Sequence, residues 1–484
     1  MIEQLREIDK IYDLLALCSA YILNEIEKNP YEFTLFKDEE FDCVYDAIER
    51  YCFQRQQKGH KKAFEELRNY MISFMVPKFT VEKCFSVVKY IDELVEVEIN
   101  DKLLGGKHII KYCAMNERYR DCIRIIPKMK GTFLKRSDIQ LKKANNKYSL
   151  FRKRRDCPCS LLDRETLNYM IWDRNHINIY PTWIYRFDKK SFISKHFYRK
   201  NQMSFGIVPF TNKHLDEILD IKYKGKAFYI DQMYEEAEQE LANRYNDVWN
   251  RCGKEDIDFL IFPEMLMTEK IISIIKNQKK IFSPQIIING SIWKDYMNKS
   301  IVTDGNGKEI FGYYKKEPFK FRNRNVEYKE CLDMTQNKEY AIMEIEGLGR
   351  IGICICKDLI NEEVKLFHKY IDTDILIVPA YTKSMDLQAS AEEMSKEYNC
   401  IVVVANACSA IVEMLKKNDE RRIGFITLPA KQNTERANIV KQYVQNECLK
   451  ECNCKCVGKK VIIDFYNTKE YKEGISYEIE ETSF

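Results

Sequence analysis

Apolar positions recur at threes and fours over the first stretch of the chain, in Ile11, Leu14, Leu15, Cys18, Ile22 and Ile26, the stripe of an amphipathic helix. The same texture returns over 40–56, 62–76 and 81–97, and Gly105-Gly106 interrupts it before a further helix expected near 107–116. Residues 1–125 thus read as mostly helical, while 160–200, rich in Tyr, Trp and Phe, reads as folded without a clear period.

After about residue 200 the grammar changes. Short β-rich runs alternate with helical stretches: SFGIVPF (204–210), DFLIFPE (258–264), QIIINGSIW (285–293), KSIVTD (299–304), YAIMEIEG (340–347), GRIGICIC (349–356), DILIVPA (374–380) and CIVVVANA (400–407). Helices are expected between them at 232–252, 361–371 and 384–398. Strands that are apolar at successive positions are buried on both faces, which calls for helices packed over a sheet. The expected organisation is a mainly helical domain over 1–199 and an α/β or layered α+β domain over 200–484.

Composition adds bounds. At 484 residues the chain is too long for one ordinary core. With 45% hydrophobic and 31% charged residues it has the make-up of a globular protein. A formal net charge of +4 from 78 basic and 74 acidic residues does not by itself point to nucleic acid. The distribution is less even: residues 128–155 hold eleven Lys or Arg with Phe133, Tyr148 and Phe151 interleaved. A solvated surface or linker accounts for such a run; a face that follows a nucleic-acid backbone or pairs with a protein partner is the sharper alternative. The apolar run LLALCSAYIL is about ten residues long, too short for a bilayer, and reads as a core helix. Eighteen cysteines scattered singly through apolar segments behave as small buried hydrophobes, which points to a reducing cytosol. The cluster Cys448, Cys452, Cys454 and Cys456 matches a zinc site in count but not in spacing, and reads as reduced surface thiols.

Three strand ends carry the chemistry. IDFLIFPE runs from a buried strand into Pro263, which stops the ladder, and leaves Glu264 at the strand's exit. FGYYKKEPF ends another strand in Lys315 and Lys316, one of which must point to each face. GRIGICICKD places Cys354 and Cys356 on one face of a buried run, with Cys356 at the polar break where a thiolate would be exposed and stabilised. Singly, each residue has a bland reading as a loop carboxylate, a solvated charge or a core cysteine. Together they supply a base, a cation and a thiol nucleophile. The six histidines give no Cys–His alternative, since only His368 falls near these motifs, inside an expected helix.

These motifs resemble the nitrilase, or carbon–nitrogen hydrolase, superfamily. Phe262-Pro263-Glu264 matches its catalytic glutamate, Tyr313-x-Lys315 its lysine, and Gly352-x-x-x-Cys356-x-Asp358 its nucleophile, with Glu363 at the following acid. EYNCIVVVAN puts Glu397, Cys400 and Asn406 at family places. Spacing from Gly307 and the later Pro318 favours Lys315 as the catalytic lysine, whereas aligning Ile310-Phe311-Gly312 with the family's lead-in favours Lys316. A further family carboxylate falls at Glu327 or Glu330. Tyr398, Met394, Glu362 and Pro318 depart from the pattern and point to a distant branch.

The resemblance implies an αββα sandwich and a homo-oligomer. It also implies hydrolysis of a small amide or nitrile through a Glu–Lys–Cys triad and a covalent thioester, with no metal or cofactor. An N-acyltransferase with the same triad is one alternative. A regulatory or anti-phage effector whose helical domain binds a protein or nucleic acid is another.

Overall fold

The computed structural model describes residues 2–8, 10–28, 41–76, 78, 80–95, 101–104, 107–111, 123–127, 169–173, 182–187, 190–198, 200, 202–276, 284–323, 326–334, 339–345, 348–371, 373–382, 386–398, 400–408, 421–429, 439–446, 458–464, 470–471, 474–475 and 478–484. The basic run 128–155 and the Cys448–Cys456 cluster lie outside them.

The chain divides into two compact units, the second of which takes in Tyr180–Phe484. In the first, the expected stripes form helices at Ile11–Lys28, Asp42–Lys58, His60–Met75 and Val81–Leu94. Leu14, Leu15, Cys18, Val44, Ile48, Leu67, Met71, Val88 and Ile91 are buried in its core. Thr80 caps the last helix by accepting from the Lys83 N–H at 3.3 Å. Of the helix expected near 107–116, the described part, Lys107–Lys111, is a strand. A Gly-Gly pair between two short apolar runs is hairpin grammar, and the β-branched Ile109-Ile110 suits the pleat. Ile123–Pro127 and Tyr169–Asp173 add an antiparallel ribbon.

The second unit is built on two sheets. One runs in the order Thr182–Phe187, Tyr340–Ile345, Gly349–Ile353, Ile375–Ala380, Ile401–Asn406, Arg421–Pro429, Ile439–Asn446. Its centre, Gly349–Ile353 with Ile375–Ala380 and Ile401–Asn406, is parallel. The other carries Phe259–Ile261 parallel to both Gln202–Ile207 and Ile286–Ile288, continuing through Met297–Asp304 to Glu309–Tyr314. The sheets meet face to face: a Cβ at Gly424 of the first would stand 3.3 Å from Ile207 of the second. The helix Glu235–Cys252 buries Leu241, Tyr245, Val248 and Trp249 against Leu260, Phe262 and Ile287 on the outside of one sheet. Glu362–Tyr370 and Asp386–Tyr398 cover the other, where His368 presses on Gly352 and Ser395 Oγ meets Thr427 Oγ1 at 2.7 Å. The result is the expected αββα layering. Among the described residues no helix is long and apolar enough to cross a membrane.

Strand Thr182–Phe187 pairs in parallel with Tyr340–Ile345, so the second unit takes in elements that precede residue 200. A four-stranded sheet, Lys320–Asn323, Val326–Glu330, Ala227–Met233 and Leu219–Lys224, stands apart from the two layers and delivers Glu330 to the site.

Candidate active site

Glu264 leaves its strand through Pro263, and its backbone N–H donates to the Ala380 carbonyl of the facing sheet at 3.3 Å. This exit needs Gly290, whose φ is +53° and where a Cβ would come within 2.0 Å of the Pro263 oxygen. Lys315 follows Glu309–Tyr314 and donates its N–H to Asn298 O at 2.9 Å, so strand pairing fixes the face its side chain takes. Lys315 Nζ then lies 2.6 Å from Glu264 Oε1 and 2.7 Å from Glu330 Oε2.

Lys316 turns the other way. Its Nζ donates to the Glu339 carbonyl at 2.6 Å and packs over the Tyr313 and Tyr340 rings. The two lysines left open by the sequence are therefore separated by strand alternation, and Lys315 is the one beside Glu264. The open choice between carboxylates resolves likewise: Glu330 is buried on Lys315, whereas Glu327 is exposed.

Cys356 departs from expectation in two ways. The strand ends at Ile353, so Cys354 and Cys356 do not share a strand face; Cys356 opens a short 3-10 turn, Cys356–Ile360, with φ +48°. That backbone is strained for a residue with a Cβ and persists only where the surroundings enforce it. Asp358 does so: its Oδ2 accepts the Ile355 N–H at 3.1 Å, and its Oδ1 accepts the N–H groups of Lys316 and Glu317 at 2.8 and 2.6 Å. The Cys-x-Asp spacing thus ties the cysteine turn to the end of the lysine strand. Second, the thiol is enclosed, at 1% exposure, rather than exposed as a thiolate. The Glu264 carboxylate acts on it directly.

Charge states follow from burial. Desolvation pushes the Cys356 thiol well above its ordinary range, with the Glu264 charge adding and Lys315 opposing, so the resting group is a neutral thiol. Burial also raises Glu264, against the pull of Lys315, and the second carboxylate Glu330 raises it further. Burial works against the Lys315 ammonium, but the facing Glu264 and Glu330 outweigh it and hold its pKa above the usual lysine value. Lys316 is pulled down by burial to about 8, against the opposing charges of Asp358, Glu339 and Glu363. Asp358 is pushed up to about 6 by burial, opposed by the backbone N–H donors that surround it.

Three participants were not singled out by the sequence. Asn298 donates from Nδ2 to Glu264 Oε1 at 3.0 Å and to Glu330 Oε1 at 3.2 Å. The Tyr381 N–H donates to Glu264 Oε2 at 3.2 Å and also reaches the Cys356 thiol. Phe319 N–H donates to Glu330 Oε2 at 2.9 Å. A polar residue at an inward position of the alternating strand Met297–Asp304 was the available signal for Asn298; backbone N–H groups leave none. Asn406 plays a structural part. It brackets Thr382, accepting its N–H at 3.1 Å and donating to its carbonyl at 2.8 Å, and so holds the loop that carries Tyr381.

Two other features stay apart from this cluster. A cavity of about 270 Å³ lined by Met265, Met267, Trp293 and Glu238 includes none of Glu264, Lys315 and Cys356 in its walls. His196, Asp256 and Asp258 converge, but Lys200 Nζ already sits 2.7 Å from Asp256 and 2.8 Å from Asp258, where a metal would have to be.

No family model matches the chain, and no curated protein does. Solved structures do align with it. A glutamine-dependent NAD+ synthetase from Acinetobacter baumannii matches at 11% identity and TM-score 0.32, over 50% of this chain and 45% of that one. An amidase from Nesterenkonia sp. AN1, with the acetamide moiety of fluoroacetamide covalently added at its active-site cysteine, matches at 9% identity and TM-score 0.33, over 50% and 90%. Saccharomyces cerevisiae Nit3, of branch 10 of the nitrilase superfamily, matches at 13% identity and TM-score 0.30, over 51% and 91%. The layers of the C-terminal unit and the order of its Glu, Lys and Cys segments are those of a nitrilase-like αββα sandwich.

Proposed function

We propose that the C-terminal unit hydrolyses a non-peptide carbon–nitrogen bond, in an amide or nitrile, with Cys356 as nucleophile, Glu264 as general base and acid, and Lys315 as oxyanion cation. The observation that carries this reading is the convergence of Glu264, Lys315 and Cys356, from three distant segments, into one enclosed cluster in which the Lys315 ammonium sits on Glu264 and both charges act on the thiol. A neutral thiol is a poor nucleophile, so the attack needs a base at the sulfur, and a desolvated carboxylate with a raised pKa is suited to that role.

In an amide, Glu264 takes the Cys356 proton as Sγ bonds to the carbonyl carbon, and negative charge moves to the oxygen. In this reading Lys315 and the backbone N–H of Lys357 receive that charge. The C–N bond then breaks, Glu264 returns the proton to the leaving nitrogen, and ammonia or an amine departs. Water attacks the thioester, gives its proton to Glu264, and the carboxylic acid leaves as the thiol is restored. Glu330 keeps Lys315 charged throughout.

Intact-mass spectrometry after incubation with a panel of small amides and nitriles tests this. An acyl adduct on the parent protein, absent from Cys356→Ala and retained in Cys354→Ala, is the expected result. An adduct that survives Cys356→Ala and vanishes in Cys354→Ala overturns the assignment. Transfer of the acyl group to an added amine, in preference to water, turns the reading to an N-acyltransferase.

A further inference from the structure

Asn298 spends its whole donor capacity on two carboxylates. Its Nδ2 lies 3.0 Å from Glu264 Oε1 and 3.2 Å from Glu330 Oε1, the same two acids that share the single ammonium of Lys315. The side chain is fully buried, on the inward face of strand Met297–Asp304, and its backbone carbonyl receives the Lys315 N–H. One residue therefore touches every charged member of the Glu264–Lys315–Glu330 group. The orientation of its amide is fixed chemically, since turning it would aim a carbonyl oxygen at two carboxylates. That orientation leaves Asn298 Oδ1 buried with no hydrogen-bond partner among the described residues. Buried polar atoms are ordinarily satisfied, so an amide that forgoes its acceptor to place both N–H bonds on acids has a polarity imposed by the acids.

We propose that Asn298 is the positioning residue of this site, a neutral double donor that holds Glu264 and Glu330 apart on Lys315 as carboxylates and leaves Glu264 free to act as base. The inference rests on the hydrolase reading above and adds to it. Two carboxylates against one ammonium carry one surplus negative charge, and in an enclosed site that surplus is relieved by taking up a proton. A proton on Glu264 removes the base. A second cation in place of Asn298 would neutralise the surplus but would bind Glu264 too firmly for it to accept the thiol proton. A neutral donor strengthens both ionised forms and adds no charge. The groups facing Glu264 are Lys315 from the end of its strand, Glu330 from the small sheet, Cys356 from its turn and the Tyr381 N–H from the loop beyond Ile375–Ala380. Of these Glu330 pushes toward protonation, and Asn298 acts on both acids at once.

The experiment is the rate of Cys356 alkylation by iodoacetamide in the full chain as a function of pH, read by intact mass. In the parent the rate rises through an acidic limb set by Glu264. Asn298→Leu, similar in size and without donors, moves that limb upward, and on its acidic side labelling slows by roughly tenfold or more, the scale of one hydrogen bond to a charged group. Asn298→Ser, with one hydroxyl donor, gives a smaller shift in the same direction and serves if the leucine variant does not fold. Ser300→Ala, two positions along the same inward face, removes a hydroxyl that has no partner among the described residues and leaves the limb in place. An unmoved limb in folded Asn298→Leu or Asn298→Ser overturns the inference while the hydrolase reading stands. A limb that moves equally in Ser300→Ala also overturns it, because packing would then explain the effect. Failure of Cys356 to label in the parent at any pH overturns the hydrolase reading itself, and the inference with it.

Discussion

Glu344 and Glu264 are both buried glutamates held by basic side chains, yet the two clusters are built with opposite charge counts. Glu344 sits between two guanidinium groups, with Arg186 Nε at 2.6 Å and Arg350 Nε at 3.0 Å, and Arg350 also donates to the Ile371 carbonyl at 2.8 Å. Glu264 shares the one ammonium of Lys315 with Glu330. Burial raises both acids, but at Glu344 Arg350 and Arg186 more than reverse it and the pKa ends below the ordinary value, whereas at Glu264 burial prevails and the pKa ends above it. Two cations on one acid make a permanent anion that fastens Tyr340–Ile345 to its neighbours. Two acids on one cation make a carboxylate that readily takes a proton. The ratio of charges, more than the burial, distinguishes the structural cluster from the candidate catalytic one.

The sharpest way to break that contrast is to remove each acid. Glu344→Ala leaves Arg350 buried without its carboxylate and is expected to cost about 3–5 kcal/mol of folding stability, measured by urea denaturation. Glu264→Gln leaves Lys315 its bond to Glu330, costs far less stability, and abolishes alkylation of Cys356. Comparable losses of stability from the two would end the distinction.

The next effect in size separates the adjacent lysines. Lys315→Ala is expected to slow acyl-adduct formation by about two to three orders of magnitude, as for loss of an oxyanion donor, while Lys316→Ala leaves it nearly unchanged. Rates that drop equally in both variants would remove Lys315 from the chemistry.

The smallest effect is on the pH dependence of stability. Glu264, raised in the folded state, contributes stability that is present below its unfolded pKa and lost as pH rises through the folded value. Glu344, lowered, contributes stability that is present above its unfolded pKa and lost as pH falls through the folded value. Relative to the parent, Glu264→Gln should therefore gain stability as pH rises from about 4 to about 8, and the deficit of Glu344→Gln should narrow as pH falls. Urea midpoints across that range check the first sign and midpoints below about pH 4.5 check the second, and parallel curves for all three proteins would contradict them.

Much of the second unit was legible because buried strands announce themselves. Ile286–Ile288, Ile375–Ala380 and Ile401–Asn406 fall inside runs whose apolar residues are continuous. Residues 107–111 were misread because a short apolar run of isoleucines satisfies helix and strand alike, and tertiary pairing decides between them. The strand expected to reach Cys356 stops at Ile353, since the turn that follows is imposed by Asp358 from within and by the backbone of Lys316 and Glu317 from another strand.

By itself the sequence determined an α/β or layered α+β domain, the order of the Glu, Lys and Cys segments and the residues at their tips, because periodicity and strand-terminating residues are local properties of a chain; the αββα sandwich was what the resemblance of those motifs implied. Only the tertiary structure decided which lysine and which glutamate complete the site, that Cys356 is an enclosed thiol in a left-handed turn, and that Asn298 joins the two acids. These depend on distances between segments far apart in sequence and on how many charges share one desolvated space, and no local pattern encodes either.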